Sequence, residues 1–247
     1  MPNWCLNNMV ITGDQKLVAE LADKIIVPNP HGSEPATYFD FNGILPMPDA
    51  LHIDEGSMLA YGLLPPDAVL AEQKSELSSW QYDLLAKHLS PLADWPTLTV
   101  AEANRLFEAD TGLQGKCRIN LELGRQLLNN ILLYGHPTWY LWSINNWGTK
   151  WNSYGPQIDV LDGRIQVVFD TAWSPPEGVY RAICEAYPGL RLEAQYYEPG
   201  IWFAGTFTGV DGKFTDTPCS DEEVKQFAID CFDEYFEEED ESEDDEV

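Results

Sequence analysis

Residues 164–209 read RIQVVFDTAWSPPEGVYRAICEAYPGLRLEAQYYEPGIWFAGTFTG, and this stretch decides the fold. Over Arg164–Thr171, Ile165, Val167 and Phe169 alternate with more polar partners. That is the period of a strand with one buried face. Pro175-Pro176 then opens a helix over Glu177–Tyr187. Proline suits a first helical turn, where its missing N–H would have no partner anyway. Leu190–Glu198 and Ile201–Gly209 read as two strands that turn tightly at Pro199-Gly200.

The pattern recurs at the N-terminal end. Asn3–Thr12 reads as a strand, with Trp4, Leu6, Asn8, Val10 and Thr12 on one face and Cys5, Asn7, Met9 and Ile11 on the other. Asp14 is placed to cap a helix over Gln15–Ile26 by accepting an orphan N–H. The apolar positions of that helix, Leu17, Val18, Leu21, Ala22, Ile25 and Ile26, have helical spacing, and Pro28 and Pro30 stop it. Phe39–Leu45 reads as a short second strand closed by Pro46-Met47-Pro48, whose prolines suit an edge or an exit. At the other end, Asp221–Phe236 reads as a last helix capped near Ser220, with Glu223 at the third position.

The middle differs. Pro66–Leu92 has Trp80, Leu84, Leu85 and Leu89 at helical intervals. Thr99 followed by Glu102 is a capping box opening a helix over Thr99–Asp110. Ile119–Tyr134 is the most apolar helix candidate. The order therefore predicts an α+β protein: a ferredoxin-like, split βαβ antiparallel sheet carrying a large, mainly helical insertion. The expected division is 1–48 with 161–236 as a discontinuous ferredoxin-like domain, 49–160 as the insertion, and 237–247 as a tail. That tail is nearly all acidic and is expected to be disordered, since it has no apolar area to offset ordering entropy.

Charge narrows the function classes. The chain has 41 acidic residues against 14 basic ones, a net charge of −27. Removing the 11 acids of residues 233–247 leaves 30 against 14, a net charge of −16. The acidity thus belongs to the body as well as the end of the chain. Nucleic-acid binding runs largely on counterion release by Lys and Arg, so direct nucleic-acid binding is not expected. An anionic membrane surface would repel such a chain. No run approaches the length of a membrane span. No signal peptide is read at the start, and a reducing cytoplasm suits five dispersed cysteines. A basic protein partner is the electrostatically natural one.

Motifs of catalysis and cofactor binding are not found. Cys5, Cys117, Cys184, Cys219 and Cys231, with His31, His52, His88 and His136, give no ligand spacing for zinc or an iron–sulfur cluster. Asp162-Gly163 and Asp211-Gly212 are hairpin signals and lack the alternating oxygen ligands of a calcium loop. Neither a Walker loop nor a dinucleotide fingerprint nor a nucleophile elbow occurs. Cys5 lies in a strand without a paired histidine, which argues against a nucleophilic role. No cofactor and no metal are expected.

Binding candidates are the aromatic segments. Asn146, Trp147, Lys150, Trp151 and Asn152 cluster around Gly148, and a Lys beside indoles can make a cation–π contact or hold an anion. The more common use of such a segment is as a corner that packs its indoles onto a sheet. Asp170 and Trp173 end a strand where it meets a helix, and Trp4 opens the first strand.

Four of these segments together resemble the YubB-like proteins of phages and plasmids: Asn3-Trp4-Cys5, residues 41–48 (FNGILPMP), residues 146–151 (NWGTKW) and residues 169–176 (FDTAWSPP). They occur in the same order and cover the sheet-forming half of the chain. The resemblance implies a ferredoxin-like domain of unknown function in a mobile-element protein of the bacterial cytoplasm, and it supplies no catalytic residues. The resulting expectation is a non-enzymatic protein that binds a host protein, such as a defence or nucleic-acid-binding factor, through an acidic surface. The alternative is a small-ligand binder or unrecognised enzyme with a Trp/Lys-lined pocket between sheet and insertion.

Overall fold

Strand β1 (Trp4–Thr12) lies inside a six-stranded, wholly antiparallel sheet rather than at its edge. The computed structural model describes residues 3–29, 32, 35–54 and 59–236, and the expected disordered tail falls outside them. The remaining strands are β4 (Tyr154–Leu161), β5 (Arg164–Ala172), β6 (Arg191–Glu198), β7 (Phe203–Val210) and β8 (Lys213–Pro218). Two short strands, β2 (Ile26–Pro28) and β3 (Thr37–Phe39), pair separately. The sheet order is β4-β5-β1-β6-β7-β8.

Helix α1 (Gln15–Ile25) follows β1, and α8 (Glu177–Ala186) joins β5 to β6. Strands β1, β4, β5 and β6 with α1 and α8 therefore make the split βαβ arrangement, and β7 and β8 extend it on one side. The fold is α+β and ferredoxin-like, as the sequence predicts. The element filling the second strand position is different. Phe39–Leu45 does not enter the large sheet. Its Asp40 side chain accepts from the Asn42 amide and turns the chain into a 3-10 helix at Phe41–Gly43. The second strand is β4, all but the last residue of which falls within the span expected to be helical insertion.

The chain divides into two units, residues 1–46 with 143–247 and residues 47–142. The first owes its core to the alternation read in the sequence. Cys5, Asn7, Met9 and Ile11 of β1 and Ile165, Val167, Phe169 and Thr171 of β5 are all buried on one face. Val18, Leu21 and Ile25 of α1 and Val179, Tyr180, Ile183 and Cys184 of α8 supply the buried helical faces of the unit. Asp14 caps α1 by accepting from the amides of Lys16 and Leu17. Asn7 has no exposed surface but is fully bonded: its amide nitrogen donates to Cys5 O (2.9 Å) and Thr171 Oγ1 (2.9 Å), and its oxygen accepts from Tyr180 OH (3.2 Å).

On the opposite face, helix α9 (Asp221–Phe232) packs Val224 and Ala228 on Tyr197 of β6 and Ala204 of β7. Its capping box at Ser220 and Glu223 is formed. The helix is shorter than expected because Asp233 leaves it in a left-handed conformation (φ 54°). Further along this face, Tyr154 and Gln157 of β4, Gln166 and Val168 of β5, and Trp4 and Asn8 of β1 are half-buried or exposed. Arg164, Gln166, Asn8 and Gln195 form a hydrogen-bonded row there: within β5 Arg164 donates to Gln166 Oε1 (2.7 Å), and across the strands Gln166 donates to Asn8 Oδ1 (3.1 Å) and Asn8 to Gln195 Oε1 (3.4 Å). This is the open face of the sheet.

The second unit is helical. It holds α2 (Leu59–Gly62), α3 (Ser79–Leu89), α4 (Val100–Ala109), α5 (Thr111–Cys117) and α6 (Leu121–Tyr134). Its core includes Tyr61, Leu70, Leu85, Leu89, Phe107 and Cys117. The capping box of α4 forms as read, with Thr99 and Glu102 each accepting from the other's backbone N–H. The helix expected across Pro66–Leu92 begins only at Ser79; before it the chain makes turns and a 3-10 helix at Leu70–Glu72. Helix α7 (Trp139–Asn146) leads the chain back to the first unit. No helix among the described residues is long and apolar enough to cross a membrane.

Candidate binding site on the open face of the sheet

The segment Asn146–Asn152 is held chiefly by backbone. Gly148 adopts φ 91°, a left-handed conformation that favours glycine. Its carbonyl accepts from Ser174 Oγ (2.5 Å), and the Trp147 carbonyl accepts from the Gly178 amide (3.1 Å). A Cβ on Gly178 would sit 1.7 Å from the Asn146 carbonyl oxygen, so the turn lies directly on the first turn of α8. Thr149, buried, donates to Ala172 O (2.8 Å).

Three of the eight sequence candidates are committed to this packing. Trp147 is buried, its indole N–H donates to Leu45 O (2.8 Å), and its ring meets Phe41 edge-on at 5.6 Å. Asn152 donates to Asp40 Oδ1 (2.7 Å) and accepts from the Phe41 amide (3.0 Å), tying the 3-10 turn to the start of β4. Asn146 contributes its carbonyl to the close approach at Gly178. These three build the corner.

Of the other five, Trp4, Lys150, Trp151 and Asp170 gather at one end of the open face. Trp4 and Tyr154 stack with centroids 4.7 Å apart and planes at 21°. Trp151 meets Trp4 at 6.3 Å. Lys150 Nζ stands 4.8 Å from the Trp151 centroid, over the ring. Asp170 pairs in register with Tyr154 on one side and Leu6 on the other, so its carboxylate shares their face. Burial raises its pKa. Trp173, just beyond β5, is 47% exposed and donates its amide to Asn3 O (3.0 Å). Trp151 and Tyr154 are 40% and 60% exposed. Tyr154 is not singled out by the sequence because its strand reads as part of the insertion; its signal is an aromatic two residues past the Trp151-Asn152 pair.

Trp173 carries backbone strain. Its φ is 74°, where a bulky side chain is a genuine outlier. Such a residue costs on the order of 1–3 kcal/mol and persists where the surroundings hold it. Trp173→Gly relieves that cost while removing a half-exposed ring. The expected change in unfolding free energy is therefore within about 1 kcal/mol, far below the roughly 3–5 kcal/mol of a packed Trp truncation. Urea denaturation measures it, and a loss above about 3 kcal/mol would make Trp173 a core residue.

Elsewhere the chemistry is quiet. Burial pushes the Cys5 thiol far above its ordinary value, and the nearby Glu198 carboxylate adds to the effect. A thiol so held stays protonated and is a poor nucleophile. Burial likewise lifts Cys117 and Cys184 to about 11. Among the described residues, no three His, Cys, Asp or Glu side chains gather as a metal-ligand group.

The class suggested by the topology has an independent counterpart in sequence. Residues 147–245 match the model of the ferredoxin-like domain in Api92-like protein. The matched stretch holds five strands of the sheet, with β1 lying outside it. Among solved structures, the crystal structure of a protein api92 from Yersinia pseudotuberculosis is similar at 13% identity and a TM-score of 0.41, covering 89% of this chain and 99% of that one. No curated protein matches.

Proposed function

We propose that the protein is a non-enzymatic binding protein whose open sheet face takes a Lys- or Arg-bearing segment of a basic partner. One observation carries the reading: Trp4, Tyr154 and Trp151 form a half-exposed aromatic shelf beside Asp170, in a chain of net charge −27. Indole faces attract cations, and a partly desolvated carboxylate gains most from a cation brought to it. The Lys150 ammonium lies over the Trp151 ring within the chain itself, which supports the reading. The surrounding acidity steers a basic partner to the face. The resemblance of the four motifs to phage and plasmid proteins favours a mobile-element protein acting on a host factor, including a defence or nucleic-acid-binding factor. The cytoplasm is then its place of action.

The test is a titration of the full chain against an array of Lys/Arg-rich peptides and their acidic counterparts. Basic peptides are expected to bind and to weaken as salt rises, since exposed charges are screened over about 8 Å at physiological ionic strength. The double variant Trp151→Ala, Tyr154→Ala is expected to lose about tenfold or more in affinity, equivalent to about 1.4 kcal/mol. Asp170→Asn is expected to weaken binding less and to leave the fold intact. Salt-independent binding, or equal affinity for acidic and basic peptides, defeats the reading.

A further inference from the structure

Residues 126–149 contain no Asp, Glu, Lys or Arg, in a chain where those types make up 22% of residues. The first part of this run is the end of α6. There Leu128, Ile131, Leu132, Leu133 and Tyr134 are all exposed, Leu132 at 84% and Leu133 at 63%. The helix buries Gly124, Leu127 and Asn130 within its own unit, and Asn130 donates to Ala50 O (2.8 Å) and Pro137 O (3.0 Å). Leu128, Ile131 and Leu132, at i, i+3 and i+4, therefore form an apolar stripe on a second side of the same helix. Leu141 of α7 is exposed as well.

We propose that this stripe is the contact between two copies of the chain, in a twofold dimer that sets α6 against α6. Charge selects the occupant. At −27 each, two copies repel wherever their carboxylates approach; the stripe itself carries no carboxylate, and Arg125, one turn before Leu128, is paired with Glu108, so copies meeting on the stripe bring few like charges together. A basic partner gains nothing here, because the stripe offers no carboxylate to pair with its cations. A twofold contact needs one patch that complements itself. A row of Leu and Ile at helical spacing meets that need, since ridges of one helix pack into grooves of its copy.

The test is sedimentation of the full chain over a hundredfold concentration range, at low and high NaCl. A reversible dimer is expected, and it strengthens as salt screens the repulsion between the two acidic bodies. Leu132→Glu and Leu132→Lys are each expected to weaken self-association about tenfold or more, with unchanged circular dichroism because the side chain is so exposed. Mixing the two variants is expected to restore the dimer through the opposite charges. A chain that stays monomeric throughout overturns the proposal, as does a dimer that survives both substitutions. A mixture that stays monomeric overturns the α6-on-α6 arrangement.

Discussion

Gly178→Ala is expected to destabilise the sheet unit by about 3 kcal/mol, at the upper end of what overpacking costs. The added Cβ would lie 1.7 Å from the Asn146 carbonyl oxygen and 2.8 Å from its carbon. Neither atom belongs to a side chain that can swing aside. The turn must lift off α8, which breaks the Gly178 N–H to Trp147 O bond and loosens the Ser174 contact at Gly148. Trp147, buried against Phe41, moves with it. Urea denaturation followed by tryptophan fluorescence measures the loss. Gly115→Ala is the control: nothing lies within 4 Å of its Cβ position in α5, and the added methyl should stabilise that helix by about 0.5–1 kcal/mol. A Gly178→Ala protein as stable as the wild type would mean that the corner does not rest on α8 in solution.

Asn7→Leu is expected to cost about 2–4 kcal/mol, although it places an apolar residue in a core. The loss falls on the partners. The Tyr180 hydroxyl, whose ring is fully buried, donates to Asn7 Oδ1, and Thr171 Oγ1 accepts from Asn7 Nδ2. Removing Asn7 leaves a hydroxyl donor in the core without its partner, at roughly 1–3 kcal/mol for each such group. Tyr180→Phe in the same chain removes that orphan and is expected to recover part of the loss. The double-mutant cycle should then give a coupling of about 1 kcal/mol or more. A coupling near zero would show that the hydroxyl and the amide do not communicate.

Sequence patterning was legible where one face of an element is buried. Strand β1, whose alternate residues are buried, and α1, capped by Asp14, were read to within a residue at their ends. The capping box at Thr99 and Glu102 was read correctly for the same reason: two short-range bonds fix it irrespective of what packs nearby. The sequence does not show strands β4 and β8. Both are edge strands, and both are largely exposed, so neither shows alternation. Gly155 and Pro156 further disguise β4. The signal for β8 was present in Asp211-Gly212, whose φ values of 53° and 73° form its hairpin turn. Phe39 and Phe41 misled in the other direction. Two buried aromatics at i and i+2 read as one strand, whereas Phe39 ends β3 and Asp40 turns the chain into the 3-10 helix that holds Phe41.

At the candidate site, sequence proximity picked the right segments but could not sort them. Trp147 and Trp151 lie four residues apart, yet one is buried at 4% exposure and the other stands out at 40%. Their roles separate only through Gly148, whose left-handed turn sends the chain from the core corner to the open face.

The place of β1 between β5 and β6 has a consequence for how the protein is made. Its hydrogen-bonding partners begin at residue 164, so about 150 residues must be synthesised after β1 before either edge can pair. At about 5–20 residues per second, that is a wait of roughly 8–30 seconds on the ribosome. The helical unit, contiguous from Met47 to Trp142, is complete in the meantime. Through that interval Met9, Val10 and Ile11 belong to a strand with both edges unpaired, the state in which nascent chains aggregate or are taken up by chaperones. Closure of the sheet around β1 thus waits on the part of the chain made after residue 164.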